Sequence, residues 1–142
     1  MKPLRWRFAV ISVLTGLSCV SSVWAQAGNA IEFKVPSSFI AGDAKLPAGT
    51  YTIRQDPDSQ LELEISNDAK GYSAFLPTEA LSPTSANQKN EVTLQKYGNT
   101  LVLKEVWIAG LSNGFPVQTS YAEKKAAKAG PPTKVAVGAT KK

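Results

Sequence analysis

At 142 residues, 43% of them apolar, the chain is long enough for one domain and too short for two comfortable ones. It has no histidine, and its one cysteine, Cys19, lies in the first 25 residues, the stretch that reads as an export signal, so the remaining chain lacks the imidazole and thiolate that Ser-His-Asp, Cys-His and zinc-hydrolase chemistries need. The charge of +5 sits at the two ends: residues 26–120 carry seven basic against ten acidic side chains, and residues 121–142 six lysines against one glutamate, so the basic pI predicts no nucleic-acid surface.

The first 25 residues read as an export signal. Lys2, Arg5 and Arg7 form a basic start, Phe8 to Val20 runs apolar, and Val23-Trp24-Ala25 puts small residues where a signal peptidase reads, leaving Gln26 as the new N-terminus. The expected location is therefore the periplasm or the exterior. Cys19 reads as an ordinary small apolar residue of that run. The alternative is a lipidated cysteine; Ser18 fits that reading, whereas Gly16 stands where such a signal usually has Leu.

From Ala30 to Pro116 the apolar residues recur with period two, the spacing that puts alternate side chains on opposite sheet faces. Strands are predicted at Ile31–Val35, Thr50–Arg54, Gln60–Ser66, Tyr72–Leu76, Glu91–Tyr97 and Leu101–Ile108, with Leu61, Leu63 and Ile65 inward and Glu62 and Glu64 in water. The last strand is apolar on both faces, which predicts a central or doubly covered position. Leu46-Pro47-Ala48-Gly49, Gln55–Ser59, Asn67–Gly71 and Tyr97–Thr100 supply turn chemistry, while Thr78–Asn90 is a longer polar loop. The fold class is all-β: a small antiparallel sandwich or flattened barrel with one short C-terminal helix. Ser120 and Glu123 have capping-box spacing, a basic helix is expected over 121–130, and Gly130-Pro131-Pro132 stops it. Residues 131–142 show no core pattern and read as a disordered basic tail.

The remaining candidates for chemistry are carboxylates and aromatics. Asp56-x-Asp58 opens like a calcium loop, but Leu61 stands where that loop needs Gly and Asn67 where it needs Glu, so it reads as a turn. No Gly-rich phosphate loop precedes a helix, and no cofactor or metal site is expected. Glu105 shares its predicted face with Leu103 and Trp107; a lysine partner such as Lys96 is one reading, and ligand contact by Glu105, Trp107 and Tyr97 the other. Tyr51 and Tyr72 belong to the same aromatic set, for which core packing is the competing account. Lys124, Lys125 and Lys128 could grip an anionic envelope polymer or lipid, or merely solubilise the helix. The functional expectation is an exported, non-catalytic binding or structural module of the bacterial cell envelope. The alternative is a carboxylate-dependent glycan-active enzyme centred on Glu105.

Two stretches also carry a resemblance. Phe33 to Gly42 followed by Leu46-Pro47-Ala48-Gly49-Thr50-Tyr51, and then Tyr97-Gly98 with Leu103-Lys104-Glu105-Val106-Trp107, resemble a group of short exported proteins of acidobacterial genomes, over most of residues 30–125. The resemblance implies export and a single small domain, and it assigns no site residue.

Overall fold

The computed structural model describes residues 29–79, 89–111 and 114–142, so the export signal, Cys19 and most of the 78–90 loop lie outside the described residues. Among the described residues, eleven strands form two sheets facing each other across an apolar core. The first sheet runs β11 (Thr140–Lys141), β1 (Ala30–Val35), β4 (Gly49–Gln55), β5 (Glu62–Asn67), β6 (Tyr72–Pro77). The second runs β10 (Thr133–Gly138), β7 (Glu91–Tyr97), β8 (Thr100–Trp107), β2 (Phe39–Ala41), β3 (Ala44–Leu46), with β9 (Phe115–Pro116) pairing Glu105–Val106 of β8 beyond β2 on the same side. Every pairing is antiparallel except β2 with β8. This is the antiparallel sandwich of the sequence reading, and the barrel alternative does not arise.

Alternation works as physics requires. Ile31, Ile53 and Ile65 stand in register across β1, β4 and β5, all fully buried, while Thr52, Arg54, Glu64 and Ser66 face outward. Phe33, Phe39 and Tyr51 form an aromatic cluster joining the two sheets, with the Phe39 and Tyr51 rings edge-to-face at 5.1 Å. The Tyr51 hydroxyl donates to the Pro47 carbonyl at 2.7 Å, so this tyrosine is core. The Leu46–Gly49 turn therefore carries the chain from one sheet to the other.

Four expectations are corrected. Leu61 is 51% exposed, because β5 begins one residue later and leaves it beyond the sheet. Residues 131–142 are ordered: Thr133–Gly138 pair along the whole of Glu91–Lys96, and Thr140–Lys141 cross to pair with β1. Thr133-Lys134-Val135-Ala136-Val137 does alternate, but with charged and small residues between the valines, as edge strands do. Val135, Val137 and Ala139 pack on the core. Third, β8 carries a bulge: Leu94 faces Leu103 while Thr93 faces Glu105, so Lys104 is the extra residue. Leu103 consequently points into the core and Glu105 and Trp107 point out, on opposite faces rather than the expected shared one. Last, the helix α1 (Tyr121–Ala126) is capped by half a capping box. Ser120 Oγ accepts from the Glu123 amide at 3.1 Å, but the Glu123 carboxylate turns into the protein rather than back to the Ser120 amide; Asp43 Oδ1 accepts separately from the Ala122 amide.

The Trp107 ring approaches Gly114 so closely that a Cβ there would sit within 3.0 Å of three ring atoms. Gly114→Ala is expected to cost about 1–3 kcal/mol of stability by overpacking, read as a lower melting temperature; an unchanged melt would show that the 114 segment moves aside freely.

Candidate functional site

Two outward faces carry polar chemistry. On the second sheet, α1 and the 3-10 turn after it (Ala127–Ala129) pack over the Tyr97 end of β7. Glu123, only 4% exposed, projects from α1 onto this face. Lys104 Nζ reaches both of its carboxylate oxygens at 3.1 Å and Thr119 Oγ1 at 3.0 Å. The Tyr97 hydroxyl lies 3.2 Å from Glu123 and 2.8 Å from the Gln95 side chain. Its single proton serves one of them, and a rotated Gln95 amide, donating to Tyr97, would let it go to Glu123.

Tyr97 is thus 7% exposed and roofed by the helix, not open to a ligand. Its hydroxyl is held above the ordinary 10.0, first by burial and then by the Glu123 charge. The folded state binds that proton more tightly than the unfolded chain does. The stabilisation is fully present below pH 10.0 and is lost as pH rises through the folded value. Tyr97→Phe is expected to cost about 1 kcal/mol at neutral pH and to flatten the fall of stability in the alkaline range. Urea denaturation as a function of pH reads both, and parallel alkaline slopes would contradict the assignment.

Of the three residues expected to meet a ligand, Glu105 and Trp107 are neighbours on the outer face of β8. Tyr97 lies four residues along β7 from Thr93, the residue opposite Glu105, a distance of about 13 Å. The structure does not gather them into one pocket. Nor does it pair Glu105 with Lys96, which stands opposite Leu101 on the other parity of β7. What sequence reasoning missed is Glu91: it faces Trp107, on the parity of Thr93, and so stands diagonally across from Glu105 on the same outer face. Asp56-x-Asp58 forms an Asx turn, with the Asp58 amide donating to Asp56 Oδ1 at 2.7 Å. Lys124, Lys125 and Lys128 are all exposed, and Lys134 joins them from the outward side of β10 opposite Gln95.

On the first sheet a groove of about 480 Å³ crosses β4, β5 and β6. Arg54 Nε donates to Glu64 Oε2 at 2.6 Å, and Ser73 Oγ donates to Glu64 Oε1 at 2.7 Å. These contacts hold the Glu64 carboxyl below the ordinary 4.5, the Ser73 hydrogen bond most and Arg54 next, against the opposing effect of burial. Lys142 Nζ spans Thr52 Oγ1 and Asp68 Oδ2, both at 3.0 Å, and lies 3.8 Å from Glu32. The Asp68 hydrogen bond is the main reason its ammonium is held above the ordinary lysine value. Alternation alone marks Thr52, Arg54, Glu64 and Ser66 as outward; placing them beside Ser73 and Lys142 needs the strand order. Comparison with family models, curated proteins and solved structures finds no match for this chain.

Proposed function

We propose that the chain is an exported, non-catalytic binding module of the bacterial cell envelope that docks on an anionic surface through α1 and its flank. The observation that carries this reading is the exposed cluster Lys124, Lys125 and Lys128, with Lys134 beside it, on one face of an otherwise mildly acidic domain. Each such lysine contributes about 1 kcal/mol next to a strongly anionic membrane. The N-terminal basic and apolar run supports delivery to the envelope.

Ordering of residues 131–142 determines how this is tested: deleting the tail would remove strands as well as charge. The test is a triple Lys→Gln replacement at 124, 125 and 128, which changes exposed side chains only. Co-sedimentation with vesicles rich in phosphatidylglycerol should be lost in the variant and weakened for the parent by salt, with the melting temperature nearly unchanged. Equal sedimentation of both proteins at low salt rejects the reading.

One observation favours a second reading, the carboxylate-dependent glycan-active enzyme. Glu91 and Glu105 stand as diagonal cross-strand neighbours, about 7–8 Å apart at the backbone, with Trp107 adjacent. Side chains rooted at that spacing can bring their carboxyl groups to the roughly 6.5–9.5 Å that suits glycoside hydrolysis by inversion. Turnover of any member of a neutral glycan panel, abolished by Glu105→Gln, would establish it.

A further inference from the structure

We propose that the outer face of the first sheet carries a separate binding site for a neutral oligosaccharide. It lies on the sheet opposite the basic helix and does not depend on the docking reading.

The register builds the site. Thr140, Glu32, Thr52, Ser66 and Ser73 face one another in a single row across β11, β1, β4, β5 and β6. Hydroxyl-bearing side chains therefore recur at the strand spacing of about 4.8 Å, and each hydroxyl both donates and accepts. Thr52 Oγ1 already accepts from Lys142, which leaves its own proton to give. The Ser66 hydroxyl, between Thr52 and Ser73 in the row, has no hydrogen-bond partner among the described residues and lines the groove. Arg54 directs two of its nitrogens at Glu64 and keeps further N–H groups for a ligand. Tyr72 stands opposite Asn67 on the inward parity of β6 and packs on the core, so the polar row and Arg54 carry the site.

Charge decides the class of ligand. Arg54 is matched by Glu64, and Lys142 by Asp68 with Glu32 at the border, so the groove lining holds two cations against two carboxylates, all of them paired. An anionic polymer would meet a charge-balanced site whose cations are already engaged. An apolar ligand would strip water from hydroxyls and ion pairs without replacing those hydrogen bonds. A neutral polyol replaces them. The volume, about 480 Å³, falls within the range of small-molecule sites, and the walls are held in place by their own hydrogen bonds before any ligand arrives.

The test titrates the full-length folded chain, observed by amide NMR, with two neutral probes: a β-1,4-linked glucose hexasaccharide and its N-acetylglucosamine counterpart. Dextran sulfate serves as the anionic control. At least one neutral probe should give saturable shifts confined to β4, β5, β6 and residues 67–71, insensitive to salt up to about 0.5 M. Ser66→Val, an outward strand position that suits a β-branched residue, should weaken that binding roughly tenfold by leaving a sugar hydroxyl unpaired, with the melting temperature retained. The triple Lys→Gln variant should bind the saccharide as the parent does. Absence of saturable shifts in these strands with both neutral probes, preferential occupation by dextran sulfate, or unweakened binding by a folded Ser66→Val protein would each overturn the proposal. Vesicle co-sedimentation is read separately, so loss of this site leaves the docking reading standing.

Discussion

Glu123→Ala should destabilise the protein by about 3 kcal/mol, a large share of what a domain of this size has. The carboxylate is 4% exposed and is met by Lys104 and Tyr97. Its removal leaves a partly buried ammonium with only Thr119 among its present partners. Breaking one side of such a pair costs more than the pair itself contributes, because the surviving charge stays where water reaches it poorly. Replacing both partners together, Lys104→Met with Glu123→Leu, should recover most of the loss. At about 4–8 °C per kcal/mol for a domain near 100 residues, the single variant melts well over 10 °C lower. A shift of only a degree or two would mean that α1 rides loosely on the sheet. Asp43 and Ser120 would then hold it through its end alone.

Ending the chain at Pro132 should have an effect at least as large. It removes β10 and β11 and with them the pairing of Glu91–Lys96 and of Ile31–Glu32. The half-burial of Val135, Val137 and Ala139 accounts for roughly 3 kcal/mol. The loss also bares one edge in each sheet at once, beside Val92 and Leu94, and an uncovered edge of that kind pairs with other chains. The truncated protein is expected to melt more than about 10 °C lower and to self-associate on gel filtration. A monomer with the parent melting temperature would return residues 133–142 to the status of a solvated tail.

How much of this was legible beforehand depended on the length over which a pattern repeats. β1, β4, β5, β6, β7 and β8 each run six residues or more with apolar side chains on alternate positions, and each was located from the sequence to within a residue or two. β2 and β3 are three residues each, too short for alternation to register, and they take their place from the core contacts of Phe39 and Leu46. β10 alternates, but its outward residues are Lys134, Ala136 and Gly138, and the six lysines near that end outnumber its two half-buried valines, so the stretch has the composition of a solvated tail.

The sites were harder, because a site is a matter of register between strands. The bulge at Lys104 leaves no mark in the local pattern, yet it places Leu103 and Glu105 on opposite faces and sets Glu91 near Glu105. The groove on the other sheet needs the order β1-β4-β5-β6 and the return of Lys142 from the far end of the chain. Ser120 and Glu123 were rightly read as a helix start. The sequence spacing held no sign that Glu123 would turn inward to Lys104 and Tyr97 rather than back to its own cap.

Docking through the basic face is tested most directly by hydrogen–deuterium exchange of the intact protein with and without vesicles rich in phosphatidylglycerol. Added protection should appear on α1, the turn that follows it and β10, where Lys124, Lys125, Lys128 and Lys134 stand, and should disappear in high salt. The β2–β3 hairpin and the groove strands should exchange as they do in free protein. Protection centred on the groove strands instead, or no change anywhere on the chain, would contradict docking through the helix face.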